Sequence, residues 1–182
     1  MKKYFLILSL ILFSNNALAE IKDKIIQNLS DTDNFSFDFE QNINGKIEKG
    51  NCKVKYPKKI YCNYDASNQK ILVSNGKSLV IKTKTSFYLY PLEQTPLNLI
   101  LDKKYLLEKI NSLEEKVVED KFVRFTFDEN DNEINIFFNK QNYNLIGWQT
   151  LDLYQNLSIS FISSIQKNQK INKNLFILPK QN

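Results

Sequence analysis

The chain has 182 residues, of which 42% are hydrophobic, and a formal net charge of +5, a composition that lets a globular domain bury a core. Its basic residues are 24 lysines and a single arginine, Arg124, with no basic run, so the forked donors that favour nucleic-acid recognition are missing and no nucleic-acid partner is expected. The chain has no histidine, which excludes histidine metal ligands and nucleophile–histidine pairs.

The first 19 residues have the pattern of a secretory signal peptide. Two lysines precede an apolar run, and alanines occupy the −3 and −1 positions of a cleavage site before Glu20. The alternative is a retained membrane anchor, but the run is about half of the ~20 residues that a spanning helix needs. Cleavage would leave residues 20–182 as a single domain with a formal charge of +3. We expect this product in an oxidising space, the periplasm if the organism is Gram-negative.

The mature chain is predicted to begin with a helix and a strand. Ile21, Ile25 and Leu29 recur at the spacing of an amphipathic helix between charged and polar residues. The segment Phe35 to Gln41 then alternates phenylalanines with polar residues, which predicts a strand with one aromatic face.

Two cysteines lie in a predicted hairpin. Residues 51–56 and 60–64 both alternate apolar with polar side chains, and a turn at Tyr56 to Lys58 sets Cys52 opposite Cys62 on one face. This geometry favours a cross-strand disulfide, which would stabilise the fold by about 3 kcal/mol through the loop that it closes. The alternative is two reduced, buried cysteines, which an oxidising compartment disfavours.

Most of the remaining segments are predicted strands. The Asn-Gly pair at Asn75 and Gly76 supplies the positive φ of a tight hairpin turn. About ten short strands in meander order, separated by polar turns, indicate an antiparallel barrel or a strongly curved sheet. Besides those above, the predicted strands are residues 70–74, 79–84, 87–91, 121–128, 133–139, 145–154 and 157–166.

A short helical region interrupts the strands. Thr95 can cap a helix and Pro96 suits its first position, and the apolar residues up to Leu101 are too closely spaced for strand alternation. A second helical pattern covers residues 105–110. We expect these helices to cover the open side of the curved sheet.

Large apolar residues at alternating positions are predicted to face one side of the sheet. They could simply fill the core beneath the helices, or they could enclose room for an apolar ligand, as partly closed barrels do. The candidate cavity residues are Phe35, Phe37, Phe39, Val54, Tyr56, Ile60, Ile71, Val73, Leu79, Ile81, Phe87 and Leu89.

The sequence offers no convincing catalytic site. Its acidic residues cluster in polar, turn-like segments without the spacing of a calcium loop, and its four glycines form no phosphate-binding cluster. We therefore expect no enzyme activity, no metal and no cofactor. A hydrolase of unfamiliar type and a purely structural interaction domain remain as alternatives.

Four segments in order resemble the bacterial outer-membrane lipoprotein carrier family, LolA. They are Phe35 to Gln41, Val54 to Pro57 followed by Ile60 to Tyr64, Ile71 to Leu79, and Tyr90 to Leu101. The likeness covers most of the mature chain. It implies an incomplete antiparallel barrel of ten or eleven strands covered by short helices.

The resemblance also implies a function. Family members are monomeric periplasmic chaperones that take the acyl chains of lipoproteins from an inner-membrane ABC-type releasing complex and pass them to an outer-membrane receptor. The residue before the hairpin proline is commonly basic and helps to close the lid; here it is Tyr56, which can donate only one hydrogen bond. A lipid or lipoprotein sensor without a transport role is the alternative. The residues expected in the lid are Leu97, Leu99, Ile100 and Leu101.

Overall fold

The structure is a computed structural model that describes residues 20–129, 132–152 and 154–181. The predicted signal peptide therefore lies outside the described residues. Three α-helices occur in the described part: α1 (20–30), α2 (Leu97–Leu101) and α3 (Lys103–Ser112). Within these ranges, no helix has the length and apolar character needed to cross a membrane.

In the same residues, eleven strands form one antiparallel sheet. The sheet runs in the order β6-β5-β4-β3-β2-β1-β11-β10-β9-β8-β7, so the first and last strands pair in its middle. The strands are β1 (Asn34–Ile43), β2 (Lys46–Lys55), β3 (Lys59–Tyr64), β4 (Ile71–Asn75), β5 (Ser78–Lys82), β6 (Phe87–Pro91), β7 (Lys116–Val118), β8 (Phe122–Glu129), β9 (Asn132–Asn139), β10 (Leu145–Leu151) and β11 (Leu157–Lys167).

The sheet is open, because β6 and β7 end it without pairing to each other. The predicted incomplete barrel with helical cover is therefore confirmed, and the short β7 is the strand that the sequence pattern did not indicate. Register shifts interrupt the pairing between Ser36 and Asp38 and between Leu145 and Gly147. Bulges of this kind bend a strand and increase the local twist, which suits a strongly curved sheet.

One half of the inner face is packed by α1 and α3. Ile25 of α1 and Leu106 and Ile110 of α3 are buried in the same hydrophobic cluster as Phe125 and Phe138 of the sheet. Helical side chains therefore fill the interior next to β8 and β9. Any open space inside the sheet has to lie next to other strands.

The outer face carries a second, smaller apolar cluster. Val73 of β4, Val80 of β5 and Phe176 are buried but do not belong to the main core. Phe176 lies in the 3-10 helix Lys173–Phe176, which packs next to β3 and β4. The C-terminal segment thus covers part of the face that looks away from the helices.

Candidate ligand cavity

A cavity of about 280 Å3 lies between the inner face of the sheet and the segment that enters α2. Residues of β1–β5, β10 and β11 form its walls, and Thr95, Pro96 and Leu97 cover one side. Among the described residues, its lining includes no side chain of α1 or α3. The cavity is therefore the part of the interior that the helices leave unfilled.

The apolar wall of the cavity follows one row of side chains across five strands. Phe37 pairs with Cys52, Cys52 with Cys62, Cys62 with Leu72, and Leu72 with Ile81. All five residues line the cavity. The disulfide between Cys52 and Cys62 confirms the predicted cross-strand pairing, and it joins β2 and β3 within this wall.

The predicted cavity residues fall into three groups. The first group lines the cavity as expected and consists of Phe37, Phe39, Ile60, Leu79 and Ile81. The second group, Phe35, Val54 and Tyr56, lies on the same inner face but is buried in the core outside the cavity. These three residues support the interior without touching the space that a ligand would enter.

The third group lies on the outer face, so its predicted inward orientation is wrong. Ile71 pairs with Asn63 and Lys82, whereas its neighbour Leu72 occupies the cavity row. Because side chains alternate along a strand, a shift by one residue exchanges the faces. Ile71 and Val73 of β4, and Phe87 and Leu89 of β6, therefore point away from the cavity.

Several lining residues were not predicted from the sequence. Leu72 and Tyr64 belong to strands that were recognised, and Trp148 belongs to β10, where its alternation with Gly147 and Gln149 offered a signal. The lining also includes polar residues of β1, β10 and β11. Hydrophobic alternation cannot find such residues, because it assigns polar side chains to the solvent face.

The four predicted lid residues do not lie together over the cavity. Leu97 lines the cavity, whereas Ile100 and Leu101 are buried in the core and Leu99 packs against it half-buried. Thr95 does not cap α2 with its side chain; its hydroxyl donates to the carbonyl oxygen of Leu92 at 2.8 Å. The cover of the cavity is therefore the segment from Thr95 to Leu97, anchored by a buried helix behind it.

The end of α2 is tied to the β2–β3 turn. The backbone N–H of Lys58 donates to the carbonyl oxygen of Leu101 at 2.9 Å, and the Lys58 Nζ lies 3.0 Å from Oδ2 of Asp102. Asp102 also caps α3, since its Oδ1 accepts from the N–H of Tyr105 at 3.2 Å. Partial burial opposes ionisation of Asp102, but the Lys58 ammonium and the Tyr105 N–H outweigh it, and the pKa of Asp102 is lowered.

Tyr56 occupies the position that is commonly basic in the family, but its side chain makes no hydrogen bond in the described part of the structure. Its hydroxyl is buried and has no hydrogen-bond partner among the described residues, and burial raises its pKa. The ring packs 5.8 Å from Phe35, measured between ring centroids, and the Lys103 Nζ lies 5.6 Å from its centre. In this part of the structure, Lys58 and not Tyr56 makes the polar contact between the turn and the helices.

Comparisons with known proteins identify a family and similar solved structures. Residues 30–178 match the model of a family described as Outer membrane lipoprotein carrier protein LolA. A search of curated proteins finds no match to the chain. An uncharacterized conserved protein from Thermus thermophilus has a similar structure, with a TM-score of 0.53, 10% identity, and coverage of 89% of this chain and 94% of that one.

Two further solved structures are similar to the chain at lower scores. A LolA superfamily protein from Nitrosomonas europaea has a TM-score of 0.47 and 9% identity, covering 88% of this chain and 97% of that one. LprF from Mycobacterium bovis has a TM-score of 0.49 and 13% identity, covering 87% and 97%. Because the family match spans most of its length, the chain belongs to the outer membrane lipoprotein carrier protein family, LolA.

Proposed function

We propose that this protein is a periplasmic chaperone that shelters the acyl chains of lipoproteins and carries them from the inner to the outer membrane. The observation that carries the proposal is the cavity between the curved sheet and the Thr95 to Leu97 cover, walled by Phe37, Phe39 and Ile81. Membership of the lipoprotein carrier family supports the same role. The protein acts as a binding protein and not as an enzyme.

The physical need for a carrier is large. Each buried methylene is worth about 0.8 kcal/mol, so an acyl chain of about fifteen carbons represents on the order of 12 kcal/mol and does not cross water unshielded. A cavity of about 280 Å3 is near the lower limit of ligand pockets, so a complete chain enters only if the cover moves outward. Leu97, which is half-buried at the cavity, lies in the segment that such a movement would displace.

Loading and release of the lipoprotein require a partner at each of the two membranes. In this proposal an inner-membrane ABC-type releasing complex delivers acylated lipoproteins, and an outer-membrane lipoprotein receptor accepts them. The cover segment that links β6 to α2 would open during both transfers. Tight burial of the chains means that release needs a receiving pocket of comparable apolar character.

Binding of a synthetic triacylated lipopeptide to wild type and to Leu97→Asp tests the cavity. We expect Leu97→Asp to weaken binding by at least about tenfold, because a carboxylate at the cover opposes the apolar ligand. Leu89→Asp is the matched control, since Leu89 is 59% exposed on the outer face and its substitution should leave the affinity unchanged. Equal affinity of the folded Leu97 variant would exclude this cavity as the binding site.

A transfer assay separates carrier from sensor. Lipoprotein-loaded protein, obtained from inner-membrane vesicles that contain the releasing complex, is mixed with outer-membrane vesicles. A carrier delivers its lipoprotein to the second vesicles, whereas a sensor binds lipopeptide but delivers nothing. Retention of all cargo on the protein would therefore contradict transport while leaving lipid binding intact.

A further inference from the structure

One wall of the cavity is polar although it belongs to the inner face of the sheet. Gln41 of β1 pairs with Ser160 of β11, and Ser158 of β11 pairs with Thr150 of β10. All four line the cavity, and Ser158 and Ser160 are each only 3% exposed. Polar side chains at inward positions on three adjacent strands, β1, β11 and β10, form a band beside the apolar wall of β1–β5.

The hydrogen bonds within this band leave some of its donors without a protein partner. The Gln41 Nε2 donates to the Ser158 Oγ at 2.9 Å, and the Thr150 hydroxyl makes a long contact of 3.3 Å with the carbonyl oxygen of Leu151. Among the described residues, the Ser160 hydroxyl and the second N–H of the Gln41 amide donate to no protein group. Both groups line the cavity, so the band favours an occupant that accepts hydrogen bonds.

The cavity offers no free positive charge to a carboxylate. Lys70 is the basic residue among the described lining residues, and its Nζ lies 2.6 Å from Oε2 of Glu48 and 4.1 Å from the ring centre of Tyr64. Asp152 adds a negative charge to the lining. A free fatty acid would therefore bring an anion into a site without an available counterion, which disfavours its burial.

We propose that Gln41 and Ser160 form a subsite for the neutral carbonyl group, ester or amide, that links an acyl chain to the rest of its molecule. The Gln41 amide and the Ser160 hydroxyl donate to that oxygen while the chain lies along Phe37, Leu72 and Ile81. The cavity accordingly prefers esterified or amide-linked acyl chains to free fatty acids. This inference rests on the proposed function and specifies the chemical class of its ligand.

The test compares two ligands of equal chain length, 1-palmitoylglycerol and palmitate, in displacement of a fluorescent lipid from the full protein at pH 8. Wild type should bind the ester about tenfold more tightly, because the carboxylate of palmitate enters a site without an available counterion. The double variant Gln41→Leu, Ser160→Ala should bind the ester about tenfold more weakly than wild type does, because it lacks both donors to the carbonyl oxygen. Ser163→Ala, an exposed serine of β11 on the outer face, is the control and should bind both ligands as wild type does.

The outcomes separate the two proposals. Equal binding of ester and acid by wild type, or an unchanged affinity of the folded double variant for the ester, would overturn the carbonyl subsite and leave acyl-chain binding in place. Failure of wild type to bind the ester, the acid and the fluorescent lipid would overturn the proposed function, and the subsite with it. Circular dichroism of each variant shows whether it has folded.

Discussion

Tyr56 carries a polar group that the fold does not use. Its hydroxyl is buried without a partner among the described residues, whereas its ring packs against Phe35. Removing an unpaired buried hydroxyl while keeping the ring recovers its desolvation cost, so Tyr56→Phe should raise the free energy of unfolding by up to about 1 kcal/mol. Urea denaturation followed by circular dichroism measures the difference.

Tyr105→Phe is the contrasting control for that substitution. The Tyr105 hydroxyl donates to the Glu129 Oε2 at 2.5 Å, so its removal leaves a carboxylate with one contact fewer and should lower the free energy of unfolding by about 1–2 kcal/mol. A loss of stability in Tyr56→Phe as large as that in Tyr105→Phe would show that the Tyr56 hydroxyl has a partner after all.

At the scale of the element, β1 to β3 could be predicted from the sequence together with their inward faces. Phe35, Phe37 and Phe39 alternate with polar residues, so only one face of β1 can enter the core. The same logic fails in β4, where Ile71, Leu72 and Val73 are all apolar. Both faces of β4 are in contact with protein, because the C-terminal segment covers the outside, and alternation then contains no information about direction.

The polar band of the cavity could not be predicted for a related reason. Serines 158 and 160 alternate with Ile159 and Phe161, and the pattern assigns the apolar residues to the interior. The structure does the opposite: Phe161 is exposed and both serines are buried. A polar wall inside a cavity violates the rule that relates polarity to exposure, so the alternation pattern assigns these residues to the wrong face.

The ion pair between Asp102, which caps α3, and Lys58 of the β2–β3 turn makes the stability of the fold depend on pH. Asp102 has a lowered pKa in the folded protein, so the stability that it supplies is complete above its unfolded pKa, ~3.9, and is lost as the pH falls through the folded value. Asp102→Asn keeps a helix cap but removes the charge near Lys58, and should cost about 0.5–1 kcal/mol at pH 7. The difference from wild type should disappear near pH 2, measured by urea denaturation at each pH.

Two further variants separate the ion pair from the cap. Asp102→Ala removes both and should cost about 1 kcal/mol more than Asp102→Asn at pH 7. Glu108→Gln removes one partner of the exposed Lys104–Glu108 pair and should change stability little at any pH. An Asp102→Asn deficit that persists unchanged at pH 2 would contradict the role of the charge.

At the scale of the whole molecule, the two faces of the sheet serve different purposes. The inner face supports the helices on one side and the cavity on the other, and the outer face is closed in part by the chain after β11. Asn168 fixes the start of that segment, since its Oδ1 accepts from the N–H of Asp33 and its Nδ2 donates to the carbonyl oxygen of Asp31, both at 2.8 Å. The segment therefore stabilises the sheet without entering the cavity.

This division predicts that stability and binding can be changed separately. Phe176→Ala removes a buried aromatic ring from the segment that packs next to β3 and β4, and should lower the free energy of unfolding by about 3 kcal/mol, the usual cost of such a core truncation. Ile177→Ala, at a neighbouring position that is 67% exposed, should cost little. Below its unfolding transition, the Phe176 variant should bind 1-palmitoylglycerol as wild type does. Reduced binding by the folded variant would mean that the outer cluster holds the curvature of the sheet on which the cavity depends.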